Sequence, residues 1–125
     1  MDATASELRK ELGELLRRAA EVSVELDRAE GAAVGVPHYS AIEARAHELG
    51  RELSRRIQAR RMGDLAAATS AAACPTCGDR CEPRRRRRRL ASIDGPLEID
   101  EPAAHCPRCR RGFFPPPGGA GPRRP

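Results

Sequence analysis

Aromatic side chains are almost missing: Trp is absent, there are one Tyr and two Phe, and together they make up 2% of 125 residues. Large rings supply much of the buried area in a small core, so their scarcity excludes a conventional aromatic-centred domain. Gly and Pro contribute 11 residues each, and both interrupt regular elements. A domain so poor in bulky residues needs a staple. Long apolar runs are lacking as well. The most apolar stretch, Leu65–Cys74, is short, Ala-rich and broken by Thr69 and Ser70, too brief for a bilayer. Met1–Ala5 is polar, so neither a signal peptide nor a membrane partner is expected, and a cytoplasmic location is. In a reducing compartment, paired cysteines more often hold metal than form disulfides.

Charge is present in quantity but divided unevenly along the chain. Residues 1–73 carry 11 basic against 12 acidic side chains, a net of −1, whereas residues 74–125 carry 12 Arg against 6 acids, a net of +6. A polyanion is the natural partner of such a segment. Nucleic acid is favoured over membrane because no amphipathic stretch with large apolar anchors accompanies the arginines.

The acidic half reads as helical. Leu8, Leu12, Leu15, Ala19, Val22, Leu26 and Ala29 recur at steps of three and four, which predicts an amphipathic helix over residues 5–30. Thr4 and Glu7 form a capping-box signature at its start, and Gly31 supplies a stop. Gly31–Tyr39, with Gly35 and Pro37, reads as a turn. Ser40 and Glu43 repeat the capping-box signature, followed by a stripe of Ile42, Ala46, Leu49, Leu53 and Ile57. A second helix is therefore expected from Ser40 to about Arg61, or further if Gly63 is only a weak point. Two such helices suggest an antiparallel αα-hairpin over residues 1–70. Its single seam needs covering, by ordinary packing within the protein or by a dimerising second copy or a separate polypeptide.

The basic half carries two copies of one device, Cys74-Pro75-Thr76-Cys77-Gly78 and Cys106-Pro107-Arg108-Cys109-Arg110. A C-x-x-C turn sets two thiolates on one side of a tight loop, and two turns facing each other make a tetrahedral ligand set for Zn. Cys74, Cys77, Cys106 and Cys109 are thus the expected zinc ligands. Proline after the first cysteine fixes φ, and glycine after the second permits the chain to leave the turn. The second knuckle has Arg110 at that place, with Gly112 two residues on. A thioredoxin-like redox role is the weaker alternative, because no βαβ pattern surrounds either motif.

The intervening residues predict a long β-hairpin: 84–93 outward, Asp94-Gly95 as the turn, and Pro96–Ala104 returning with Leu97 and Ile99 alternating against Glu98 and Asp100. Pro96 and Pro102 imply edge or irregular pairing. Cys81 is either a free buried thiol or an alternative ligand. His105 reads as a strand residue, and Phe113 and Phe114 as an apolar lid on the metal site, with base stacking as the minor alternative. The fold class is accordingly α+β: a helical hairpin, a small zinc-ribbon β-hairpin module over 71–115, and a Pro/Gly/Arg-rich tail over 116–125 expected to be disordered.

Arg84, Arg85, Arg86, Arg87, Arg88 and Arg89 are consecutive, and on a strand they divide into two rows of three on opposite faces. Such a ribbon repels itself unless counterions or phosphates gather round it. Arginine forks onto phosphate and fits the edge of guanine. The run, together with Arg108, Arg110 and Arg111, is therefore the candidate DNA contact; a merely solvated charge run is the bland alternative. Phosphate contacts by themselves specify no sequence.

With these residues in view, the chain resembles the N-terminal part of the ISKra family of insertion-sequence transposases. Val36-Pro37-His38-Tyr39-Ser40-Ala41-Ile42-Glu43-Ala44, the segment Leu49-Gly50-Arg51-Glu52-Leu53, and the two knuckles, the second continuing Arg111-Gly112-Phe113-Phe114-Pro115, carry the likeness over roughly residues 36–115. The resemblance implies binding of transposon-end DNA by a region that precedes a metal-dependent carboxylate-triad domain. Two-metal phosphoryl chemistry needs acids converging on ions about 4 Å apart. Asp94 falls in the expected turn, and Asp100 and Glu101 point apart as neighbours in extended chain, so no catalytic residues are assigned. The tail departs from the family pattern after Pro115, and the expectation is a truncated or frameshifted fragment without enzymatic activity. A zinc-ribbon adaptor or regulator binding protein through the helical stripes, and a remnant without function, are the rival readings.

Overall fold

The structure is a computed structural model that describes residues 2–31 and 38–115. Most of the expected turn Gly31–Tyr39 and the whole of the tail 116–125 lie outside the described residues. The chain divides into two compact units, Met1–Arg45 and Ala46–Pro125. The division falls inside the second helix, not after it.

In the first unit, α1 spans Ala5–Ala29. Its capping box is formed: the Thr4 hydroxyl accepts from the Glu7 N–H at 3.1 Å, and the Glu7 carboxylate accepts from the Thr4 N–H at 3.0 Å. Two N–H groups that a helix start leaves without partners are satisfied in this way. At the other end Gly31 takes φ 73° and donates to the Arg28 carbonyl. No residue of α1 is buried; Leu8, Leu12, Leu15, Val22 and Leu26 are all exposed. The helix α2, Tyr39–Ala68, begins in this unit. The second expected capping box is not formed, because Ala41 and Ile42 already donate to the His38 carbonyl. That start puts Ser40 inside the first turn, where it lacks the extended torsions an N-cap requires. Arg45 Nε donates to Asp27 at 3.1 Å, tying the end of α1 to the start of α2.

In the second unit, α2 continues through Gly63 to Ala68, the longer of the two endings that the sequence allows. Good helix formers on both sides outweigh one glycine worth about 1 kcal/mol. Thr69 closes the helix by donating its hydroxyl to the Leu65 carbonyl. The strands β1 (Ala72–Ala73) and β2 (Arg80–Cys81) then form a two-stranded antiparallel sheet. A three-stranded antiparallel sheet follows in the order β3-β4-β5, from Pro83–Ser92, Gly95–Cys106 and Arg111–Phe113.

The long hairpin is present, but its turn falls one residue earlier than expected, with Arg84 opposite Ala103 and Ser92 opposite Gly95. Its loop is Ile93-Asp94, and Gly95 opens the return strand at φ 107°. A type I′ turn would need positive φ at both loop residues, and a type II′ turn at the first. Neither loop residue has it, so the demand for glycine moves one position on. Pro96 and Pro102 both lie within β4. The strand β5 joins only from Ala104 onward, so one edge of β4 is open at both prolines, where a missing N–H forfeits no ladder bond.

The helix face that serves this unit is not the Leu and Ile stripe. Ser54 hydrogen-bonds the Asp94 carboxylate, and Arg55 donates to the Asp94 carbonyl at 2.7 Å. Gln58, Ala59, Met62, Ala66 and Thr69 continue the less exposed face at helical spacing. Leu49, Leu53 and Ile57 remain exposed. The buried apolar residues are Ala66, Ala72, Cys74, Cys81, Ile99, Ala104 and Cys106. Among the described residues Ile99 is the one large aliphatic in that set, so transfer free energy from burial is small and the cysteines sit at the centre of what core there is.

Candidate metal centre

Each knuckle is the loop of a small hairpin. Cys74–Asp79 connects β1 to β2, and Cys106–Arg110 connects β4 to β5. The two loops carry the same internal bond: Gly78 donates to the Cys74 carbonyl at 2.9 Å, and Arg110 to the Cys106 carbonyl at 2.7 Å. Both residues also share a conformation, φ 80° at Gly78 and 56° at Arg110. Arg110 is the one non-glycine at positive φ among the described residues. The left-handed torsion expected of Gly78 is therefore required at Arg110 too, and Gly112 does not relieve it.

The four sulfurs converge. Cys74 Sγ stands 3.8 Å from Cys109 Sγ, Cys77 Sγ stands 3.6 Å from Cys106 Sγ, and all four lie within 4.8 Å of one another. Four thiolates at metal bond lengths of about 2.3 Å on tetrahedral vertices would be about 3.8 Å apart. A disulfide needs about 2.05 Å. Both of these pairs run between the knuckles and neither is near bonding distance, so the two turns meet at one cluster, which fits one shared ion better than a redox pair. Cys106 is fully buried at 0% exposure, and Cys81, Ala104 and Phe113 pack round the cluster.

Backbone N–H groups favour the thiolate form of the first cysteine of each knuckle. Cys74 is lowered to about 6, chiefly by the Cys77 N–H and then that of Thr76; the latter stands 3.4 Å from the sulfur. Cys106 is lowered chiefly by the Cys109 N–H, again at 3.4 Å. Cys109 is pushed up to about 12, first by the Cys77 side chain and then by burial. A cation placed among the sulfurs would reverse that rise, since metal coordination requires the deprotonated form.

The remaining candidates divide. Cys81 is buried on β2 and its thiol donates to the Asp79 carbonyl. It lies outside the four-cysteine set, and burial, then Cys106, pushes it up to about 11. His105 is an exposed residue of β4, opposite Gly112 and outside that set. Phe113 packs against the cysteines, but Phe114 does not cover them: it is 62% exposed, with the Arg86 guanidinium 5.5 Å from its ring centre. Phe114 is the residue after β5, and its ring goes with Arg86 while that of Phe113 goes with the cysteines, so the expected lid of two rings is a lid of one.

The arginine run does form two rows on β3. Their self-repulsion is relieved within the sheet, because the register sets acids of β4 opposite them. Arg86 donates twice to Glu101, at 2.6 and 3.0 Å, and Arg88 lies 3.7 Å from the same carboxylate, whose residue is 6% exposed. Arg87 reaches Glu98 and Asp100 on the opposite face. Arg108 lies 3.5 Å from Asp79 and so links the knuckles. Among the described residues Arg84, Arg85, Arg89, Arg110 and Arg111 have no acidic partner. The expected Asp94-Gly95 turn would have set Asp100 and Glu101 opposite Arg89 and Arg88; with the loop one residue earlier, the register sets Glu98 to Glu101 opposite Arg89 to Arg86.

No protein-family model matches the chain, and neither does any curated protein or solved structure.

Proposed function

We propose that the four cysteines hold one zinc ion, that residues 71–115 form a zinc ribbon, and that the chain binds DNA as the end-recognising region of an ISKra-type transposase. The convergence of the four sulfurs within 4.8 Å carries this reading. A closed set of four thiolates leaves no open position for substrate, which makes the ion structural. It substitutes for the missing apolar interior and holds the arginine-bearing hairpin in place.

The exposed Arg84, Arg85, Arg89, Arg110 and Arg111 are the groups free to meet phosphate, while Arg86, Arg87, Arg88 and Arg108 are already partnered within the sheet and knuckles. Strand cleavage is not part of the reading. Asp100 and Glu101 lie on opposite faces of β4, each engaged by arginine, and Asp94 is held in the turn by Ser54. A second reading, a protein-binding adaptor, draws on the exposed stripes of α1 and α2.

Native mass spectrometry should show one zinc per chain, lost with chelator and with Cys74→Ser or Cys109→Ser but kept with Cys81→Ser. Gel shifts on element-terminal DNA across a salt series then separate the readings. Specific retention supports the transposase region; weak, sequence-blind retention that collapses by about 200 mM salt supports the adaptor.

A further inference from the structure

We propose that Phe114, backed by Arg86, is a stacking platform for an unpaired nucleobase, so that the zinc-ribbon unit grips single-stranded DNA in preference to duplex. The inference rests on the DNA-binding reading above and narrows its ligand. The chain has two phenylalanines. Phe113 is used against the cysteines, whereas Phe114 is exposed. An exposed ring is ordinary; one held by a fixed cation is less so. The Arg86 guanidinium stands 5.5 Å from the ring centre and is itself anchored by two hydrogen bonds to the buried Glu101 carboxylate. The guanidinium is therefore in place beside the ring before any ligand arrives, where it favours one orientation of the ring.

Next to the ring is an open groove of about 400 Å³, whose other walls include Ala103, Ala104, His105 and Gly112. That volume falls in the range of small-ligand sites, about 300–1,000 Å³. Two alanines and a glycine leave the floor low enough for a flat group to enter, and the His105 edge offers it a hydrogen-bonding partner. Arg84 is opposite Ala103 in the register, on the same face as Arg86 and about 6.6 Å along the strand from it. Having no acidic partner among the described residues, it is the natural contact for the adjoining phosphate. Bases in a duplex are stacked on one another and cannot offer a face to a ring at the protein surface. An unpaired base can, whatever its identity.

The test uses the full chain loaded with zinc, labelled oligo-dT, and the same strand annealed to oligo-dA, with binding followed by fluorescence anisotropy. The parent should bind the single strand more tightly. Phe114→Ala should weaken that binding about 5- to 150-fold, leave the duplex within about twofold, and leave the salt dependence unchanged because no ionic contact is lost. Zinc content reports that the variant is folded. Phe114→Trp would be the chain's one tryptophan; it should retain binding, and its emission should be quenched by oligo-dT. Unchanged single-strand affinity in Phe114→Ala, or unmoved emission in Phe114→Trp while DNA still binds, overturns the platform alone. A parent that binds neither form overturns the DNA reading and the platform with it.

Discussion

The two knuckles make the same demand on one matched position but meet it with different residues, so substitutions at the two places should move zinc affinity in opposite directions. Gly78 and Arg110 each follow the second cysteine, and each donates back to the carbonyl of the first, at φ 80° and 56°. A residue with a Cβ costs about 1–2 kcal/mol in the left-handed region. Removing that side chain returns about 0.5–1 kcal/mol to the unfolded chain as entropy. Arg110→Gly should therefore stabilise the ribbon by up to about 1 kcal/mol. Gly78→Ala should destabilise it by about 1 kcal/mol or slightly more, because 80° lies beyond the usual left-handed well of about 50–70°. The cost at Gly78 is purely torsional: a Cβ there meets no atom within 4 Å. If folding of the ribbon and metal binding are one event, these energies appear directly in the apparent zinc affinity. Competition against a chromophoric chelator should show about fivefold weaker zinc for Gly78→Ala and up to about fivefold tighter zinc for Arg110→Gly. Weaker zinc in Arg110→Gly, or no change in Gly78→Ala, would refute the claim that both knuckles require the left-handed torsion.

Two further substitutions probe the hairpin. Gly95→Ala places a Cβ at φ 107°, 3.3 Å from Arg55 Nη1; thermal unfolding of the zinc-loaded chain should show a loss of about 1–3 kcal/mol from strain and from the displaced Arg55 bond to Asp94. Glu101→Gln removes the carboxylate shared by Arg86 and Arg88. It should cost roughly 1 kcal/mol of stability, since both arginines are about half exposed and regain water. The same change should tighten duplex DNA binding and steepen its salt slope by about one to two as two cations are released for phosphate; a stable variant with an unaltered slope would count against the hairpin as the DNA contact.

Much of this architecture is local and was legible residue by residue. The heptad-like spacing of Leu8 to Ala29 and the Thr4–Glu7 box predict α1 to within a residue, because both act within a single turn of chain. The two C-x-x-C motifs predict the four-sulfur cluster, since a knuckle's geometry is determined by its own few residues. The start of α2 was legible to within a residue, but its cap was not, because Ser40 carries the side chain of a cap without the extended torsions. Phe113 and Phe114 looked alike until the fold set one ring against the cysteines and the other beside Arg86.

Composition and short motifs alone determined that this chain has two long helices, a basic cysteine-bearing β region and too little apolar bulk to hold that region without help. The tertiary structure decided which of the arginines remain available, because Glu98, Asp100 and Glu101 meet them only through cross-strand register. It also decided that α2 turns Ser54 and Arg55, not its leucines, toward the hairpin tip. Both outcomes depend on pairing between residues far apart in the chain, where the energy of a contact belongs to two positions at once and neither one announces it.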